Sequence, residues 1–182
     1  MDFIIYGLII FIIICMILMW YISIYNHYQT YIIRMNEAEA FIDTTLRKRF
    51  DLLNKSIGII KTVSNNKKDE ILGTIIELRS KKLSNFELDR ALYESINEFN
   101  EYKEKYTDLK NNEAFLKIEL GLFESESEIV AARKYYNDII TDYNKLVRTF
   151  PSNIVAKIAG YSVKTYFDGK DMSDDDTQDF KL

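Results

Sequence analysis

The hydrophobic pattern begins with an unbroken apolar run, because every residue from Phe3 to Ile22 is apolar, aromatic or Gly. At about 1.5 Å per helical residue, a run of this length spans roughly the 30 Å hydrocarbon core of a bilayer. Aromatic residues, which suit the headgroup layer, gather at its C-terminal end: Trp20, Tyr21, Tyr25 and Tyr28. The pattern predicts one transmembrane anchor over residues 3–24, with the membrane interface at these rings.

The flanks of the run bear on its retention and its orientation. A cleaved signal peptide has a basic start and a small-x-small cleavage site, whereas this run ends in Met19, Trp20, Tyr21 and Ile22. No Lys or Arg precedes the run, and Arg34 is the first basic residue after it. Positive residues favour the cytoplasmic side. We therefore expect a retained single-pass anchor in the cell membrane, with the N-terminus outside and the helical region in the cytoplasm.

Beyond the anchor, apolar residues recur every three or four positions, the spacing of one apolar helix face. The first helix is predicted over about 28–63 and can be continuous with the anchor. Its stripe comprises Met35, Ala38, Ile42, Leu46, Phe50, Leu53, Ile57 and Ile60. Residues 64–66 are Ser, Asn and Asn, which favour a turn, and a short second helix follows to about Lys82.

Two further amphipathic helices are predicted. Ser84 and Glu87 have the spacing of a capping box, in which hydroxyl and carboxylate satisfy free backbone N–H groups at the start of the third helix. That helix ends near Lys105, and after a polar connection over 107–112 the fourth helix runs to Pro151. Its broad apolar face comprises Phe115, Leu116, Leu120, Phe123, Val130, Tyr136, Ile139, Tyr143, Leu146 and Phe150.

These elements predict an all-α fold: an antiparallel four-helix bundle over 26–160, preceded by the N-terminal transmembrane helix. With one Pro and six Gly in the chain, few residues interrupt long helices. Ser152 is predicted to cap a short helix over 153–159 that Gly160 ends. Residues 161–182 are predicted to form a C-terminal extension, whose acidic tail from Asp168 has too little apolar content to order itself.

Several stretches resemble the LemA family, in order and in register. They are Ile42-Asp43, Leu46-Arg47-Lys48-Arg49-Phe50-Asp51-Leu52, Tyr106-Thr107-Asp108-Leu109-Lys110, Ala131-Ala132-Arg133-Lys134-Tyr135-Tyr136-Asn137, Tyr143-Asn144, Phe150-Pro151-Ser152-Asn153-Ile154-Val155-Ala156 and Tyr166-Phe167. The sequence departs from the family at Asn54 and Lys55, where Pro and Asn are usual, and at Thr107, where Pro is frequent. The resemblance implies a helical bundle on a membrane anchor, often encoded in bacteria beside envelope proteases or TPM-domain proteins. It implies no particular reaction.

The residue inventory argues against common catalytic sites. The single histidine, His27, lies beside the predicted interface, so neither Glu-x-x-His pairs nor a His-based triad can form. Cys15 lies inside the apolar run, and the glycines are too scattered for a phosphate loop. The carboxylates of the fourth helix are interpreted as a solvated face rather than a cation site: Glu119, Glu124, Glu126 and Glu128. We expect no enzyme activity, no cofactor and no metal.

Two dipeptides in the fourth helix, Tyr136-Asn137 and Tyr143-Asn144, repeat at a spacing of seven, which aligns the rings on one stripe and the amides on the next. Either the rings pack and the amides bond between helices, fixing register, or the strip binds a partner. Phe150-Pro151 fits a helix stop before a new helix, and docking there stays open. The candidate positions for partner binding or register fixing are Tyr136, Asn137, Tyr143, Asn144, Phe150 and Pro151.

The distribution of charge narrows the class of partner. The net charge of −4 is concentrated from Asp168 onward, and the helical region is mixed in sign without a basic stripe, so nucleic acid is not expected. The sequence favours an interaction or scaffold module at the cell envelope, bound to the bilayer through its anchor and to a protein partner through its helices. The alternatives are an unrecognised enzyme or metal-dependent envelope protein, and self-assembly through the anchor around Gly7.

Overall fold

The computed structural model describes residues 2–64, 73–78 and 83–167, and every regular element in these ranges is helical. Helices α1 to α5 cover Asp2–Ser64, Gly73–Leu78, Asn85–Lys105, Glu113–Arg148 and Ser152–Ala159. A short 3-10 helix over Thr107–Asn111 connects α3 to α4 and buries Leu109. The predicted all-α fold class is confirmed.

Helix α1 joins the predicted anchor and the predicted first helix without a break. It contains no Pro, and Gly7 and Gly58 are its only glycines, so little in its sequence opposes a long helix. Near the N-terminus it has a stretch long and apolar enough to cross a bilayer, and that stretch is not buried within the protein. Its length, composition and exposure make this part of α1 a candidate membrane span.

Two predicted helix ends are confirmed. At the start of α3, the Ser84 hydroxyl accepts the N–H of Glu87 at 3.3 Å, and the Glu87 carboxylate accepts the N–H of Ser84 at 2.9 Å. At the end of α5, Gly160 has φ 73°, the left-handed conformation that only Gly adopts without a steric cost. The predicted ends of the second helix and the acidic tail lie outside the described residues.

The prediction that Ser152 caps α5 is wrong. Pro151 holds the cap position, and Ser152 is the first residue of the helix. The Ser152 hydroxyl lies 2.7 Å from the carbonyl oxygen of Leu146 and 2.9 Å from that of Thr149, and it donates to these acceptors instead. Because the last carbonyls of a helix have no partner inside it, this hydroxyl satisfies the end of α4 and fixes the joint to α5.

The described chain divides into two compact units. The first, which we call the anchor unit, combines the residues up to Glu37 with Tyr136–Tyr166. The second, the middle unit, combines those from Ala38 to Tyr135 with Phe167. Each unit has its own buried core.

In the middle unit, α4 packs antiparallel to both α1 and α3. Side chains pair in opposite chain directions: Lys48 with Glu128 and Leu52 with Gly121 between α1 and α4, and Asp89 with Arg133 and Lys103 with Glu119 between α3 and α4. Stacked rings of Phe99 and Phe115, 4.4 Å apart, lie in the core between α3 and α4. Burial of these apolar faces holds the helices together, since none of the stripes is stable in water alone.

The contact between α1 and α4 is close at Gly121. A Cβ atom at this position would stand 3.0 Å from Cδ1 of Leu52, well inside ordinary van der Waals contact. The two helices therefore approach at a point where one of them has no side chain.

Helix α4 carries apolar residues on two opposite sides in the middle unit. The side that faces the core bears Phe115, Ile118, Leu122, Ile129 and Ala132. Four residues that the sequence assigned to its buried face are instead exposed: Leu116, Leu120, Phe123 and Val130. The spacing of apolar residues alone does not distinguish these sides, because both repeat with a helical period. We call Leu116, Leu120, Phe123 and Val130 the outer stripe.

Candidate functional site

The anchor unit contains all six candidate positions of the fourth helix and its end. Tyr143 and Asn144 are buried, Tyr136 and Asn137 are half-buried, and Phe150-Pro151 is exposed. The side chain of Phe150 is 80% exposed. The three pairs of candidate residues thus range from buried at 143–144 through half-buried at 136–137 to exposed at 150–151.

Tyr28 lies at the centre of an aromatic cluster in this unit. Its buried ring meets Tyr143 edge-on, with ring centroids 5.8 Å apart, and lies 4.7 Å from the ring of Tyr161. Its hydroxyl donates to the carbonyl oxygen of Ser152 at 3.3 Å. A buried Tyr commonly has such a partner for its polar end. The aromatic pattern of the sequence places Tyr28 at the membrane interface, but its position seven residues before Met35 also continues the buried stripe of α1.

Asn144 holds the chain that follows α5. Its amide nitrogen donates to the carbonyl oxygen of Lys164 at 2.8 Å, and its amide oxygen accepts the N–H of Lys164 at 2.8 Å. Both ends of one side-chain amide are therefore satisfied by a single backbone residue, which fixes the position of residues 161–166. The expected register-fixing bond is made to an extended segment rather than to another helix. A sequence pattern does not reveal a backbone partner of this kind.

Burial raises the pKa of Tyr28 and of Tyr143 above the ordinary value of 10.0, and burial together with Tyr25 does the same for Tyr161. Because the pKa is raised in the folded state, the unfolded chain loses these protons at a lower pH than the folded chain does. The contribution of the three tyrosines to the free energy of unfolding is therefore fully present below pH 10 and is lost as the pH rises above it.

We therefore expect the free energy of unfolding to decline as the pH rises through and beyond 10, because the unfolded chain releases the cluster's protons before the folded chain does. Urea unfolding followed by circular dichroism at several alkaline pH values measures this. Tyr28→Phe should flatten the decline, whereas Tyr135→Phe, at an exposed ring of the same protein, should leave it unchanged. An identical decline in both variants would contradict the assignment.

The predicted interface residues lie along α1 just before this cluster. Trp20 and Tyr25 are exposed, and the rings of Tyr21 and Tyr25 stack with centroids 6.4 Å apart. Tyr25 also lies 6.2 Å from Tyr161. The aromatic cluster is therefore continuous with the rings that the sequence places at the membrane interface.

The middle unit contains a network of two ion pairs between helices, each with one buried side chain. The guanidinium of Arg49 is 3% exposed and donates to the carboxylate of Glu126 at 2.5 Å. Arg133 pairs with Asp89 and lies over the ring of Phe167, 5.7 Å from its centroid. A cleft of about 190 Å³ opens between these pairs. Since each carboxylate already has a cation, the network serves as an internal polar contact between helices.

The carboxylates suggested by the sequence as a solvated face are mostly engaged in such pairs. Glu119 accepts from Lys103 and Glu128 from Lys48, in addition to the Glu126 pair. Within the part of the chain that the structure describes, no group of three His, Cys, Asp or Glu side chains is placed to hold a metal ion.

The outer stripe of α4 borders a second cleft. Phe123 is 73% exposed, and it lines a cleft of about 230 Å³ together with Ile96 and Phe99 of α3. Large exposed apolar side chains repeated along one helix face are typical of surfaces that bind another protein. The outer stripe is therefore the main candidate partner-binding surface of the middle unit.

Comparison with known proteins gives two findings. A family model described as "LemA family" matches residues 38–180, most of the chain. A curated protein of Metamycoplasma hominis, named Protein LemA, is 30% identical over 169 residues, which cover 82% of this chain and 76% of that protein. The match agrees with the motifs that carry the resemblance in the sequence.

Proposed function

The chain belongs to the LemA family, and on this premise we propose that it is a single-pass membrane protein whose helical region recruits another protein at the cell envelope. The proposed role is recruitment rather than catalysis. The observation that carries it is the outer stripe of α4, which exposes large apolar side chains on the side of the helix that faces away from the core. Exposure of such a stripe has a cost in water that a partner would remove.

The proposed architecture is an antiparallel four-helix bundle on the anchor. Two observations support it: the antiparallel pairing of α4 with α1 and with α3 in the middle unit, and the short connection from α3 through Thr107–Asn111 to α4. Short connections are typical of antiparallel neighbours in helix bundles.

The outer stripe fits the apolar face of an amphipathic helix from the partner. Its members lie on one side of α4 at intervals of four, three and seven positions, that is one to two helical turns, the pattern by which helices recognise each other. The neighbouring cleft beside Phe123 offers space for one large side chain of the partner. Recognition of this kind needs no cofactor.

A double substitution tests this surface. In the full chain, Leu120→Ser with Phe123→Ser should abolish co-purification of a specific partner from membranes, because it removes apolar contact area without touching the core. The matched control is Lys117→Ser with Glu124→Ser, which changes two exposed positions next to the stripe. A partner list that is the same for both variants, by mass spectrometry of the purified complexes, would contradict the proposal.

We further propose that the N-terminus lies outside and the helical region in the cytoplasm, as the positions of Lys and Arg favour. Spheroplasts that carry a C-terminal tag are treated with protease. We expect the tag to be protected. Digestion of the tag in intact spheroplasts would contradict the proposed orientation and place the helical region outside. A cytoplasmic reporter protein followed in the same sample shows whether the membrane stayed sealed.

A further inference from the structure

We infer that α5 and the turn before it lie on the membrane surface, with Phe150, Ile154 and Ile158 at the boundary between headgroups and acyl chains. We call these three residues the lipid face. The inference rests on the proposed anchoring of α1, and it goes beyond that proposal because it assigns a second element of the protein to the bilayer.

Helix α5 has an apolar side that is exposed. Helix α5 packs inward through Val155 and Ala156, which are buried. Ile154 and Ile158 lie four positions apart on α5 and are exposed, Ile158 to 67%, and Phe150 is exposed in the turn that precedes the helix. Four-residue spacing places side chains on one side of a helix. Among the residues that the structure describes, α5 therefore keeps an apolar side exposed, formed by Ile154 and Ile158.

Both ends of α5 contact α1 close to the end of its predicted membrane span. At the start of α5, Ser152 accepts a hydrogen bond from Tyr28, and directly after its end Tyr161 contacts Tyr25 and Tyr28. The two ends of α5, about 12 Å apart, thus contact a single turn of α1. That turn begins directly after the predicted span 3–24, so α5 crosses α1 at the level of the headgroups.

The chain around α5 is positively charged. From Tyr143 to Phe167 the chain has four basic residues and no acidic one. All four are exposed: Lys145, Arg148, Lys157 and Lys164. Apolar side chains flanked by Lys and Arg are typical of helices that lie in the interface of an anionic membrane. An exposed apolar face beside a candidate membrane span, with this charge, fits an anionic lipid surface better than a protein partner.

Depth-dependent quenching in vesicles tests the inference. The full chain with Cys15→Ser, which removes its only thiol, receives Ile158→Cys for labelling with an environment-sensitive fluorophore. The vesicles contain phosphatidylcholine, phosphatidylglycerol and a lipid with a nitroxide near the top of its acyl chain. Asp138→Cys, at an exposed position of α4 in the same unit, is the matched control. The single tryptophan, Trp20, reports insertion of the anchor independently.

The expected result is quenching of Trp20 together with quenching at position 158 that is at least about two-fold stronger than at position 138, since an interfacial helix buries its apolar side about 5–10 Å deep. Quenching of Trp20 with equal, weak quenching at 158 and 138 would overturn the inference while the anchoring stands. An unquenched Trp20 would overturn the proposed anchoring and, with it, this inference.

The contribution of the basic residues is tested separately, by changing either the lipid charge or the protein charge. Vesicles of phosphatidylcholine alone should weaken quenching at position 158, and Lys157→Ser with Lys164→Ser should weaken it in the anionic vesicles. Quenching at 158 that is insensitive to both changes would show that the basic residues do not contribute.

Discussion

Replacing Tyr143 by Ala is expected to lower the free energy of unfolding by about 3–5 kcal/mol, the usual cost of removing a large buried aromatic side chain. Tyr143 is buried and meets Tyr28 edge-on. The substitution leaves a cavity beside Tyr28 and removes an aromatic contact. Urea unfolding of the detergent-solubilised protein, followed by circular dichroism, measures the change.

The same helix offers a matched control in Tyr135, which is exposed. Tyr135→Ala should change the free energy of unfolding by less than about 0.5 kcal/mol, as is usual for a surface position. The comparison also decides between the two interpretations of the tyrosine strip. If Tyr143→Ala left stability unchanged but abolished binding of a partner, the packing role would be refuted and the ring would belong to a binding surface.

The second large effect is expected at the ion pair between the buried Arg49 and the half-exposed Glu126. Glu126→Gln should lower the free energy of unfolding by about 2–3 kcal/mol, because it leaves the buried guanidinium of Arg49 without a carboxylate. Breaking a fully buried ion pair costs more than this. The Glu126 side chain is 51% exposed, so water can partly take the place of its carboxylate beside Arg49, and the expected loss is smaller.

A neighbouring pair supplies the control. Glu128→Gln breaks the contact with Lys48, in which both side chains are partly exposed, and should cost less than about 1 kcal/mol. Arg49→Met should be much milder than Glu126→Gln, since it removes the buried charge together with its need for a partner. Equal losses for Glu126→Gln and Glu128→Gln in the same urea titration would show that burial of Arg49 has no energetic consequence.

The sequence was sufficient for two helix ends and for the long α1. The capping box at Ser84 and Glu87 and the helix stop at Gly160 depend on backbone geometry within a few positions, and both predictions were confirmed. The long α1 also follows from local composition. The family was identified from short motifs in register.

The sequence did not predict which helix side faces the core or which groups the polar side chains bond. The apolar spacing of α4 is helical on both sides, so it could not show that Phe115 and Leu122 face the core while Leu120 and Phe123 face outward. The partner of Asn144 is a backbone residue twenty positions away, which no periodicity encodes. Ser152 has the residue type of a cap, but its hydroxyl donates to the carbonyl oxygen of Leu146 at the end of α4 and accepts no N–H of α5.

The close contact of Gly121 with Leu52 has a consequence for the evolution of the family. A Cβ atom at position 121 would stand 3.0 Å from Cδ1 of Leu52, so the Leu52 side chain would have to shift by a few tenths of an ångström and the two positions share one volume. Substitutions there are expected to covary: homologues with Ala or Ser at the first position should carry a smaller or differently branched residue at the second. The contact between α1 and α4 would then change only through paired replacements at positions 52 and 121.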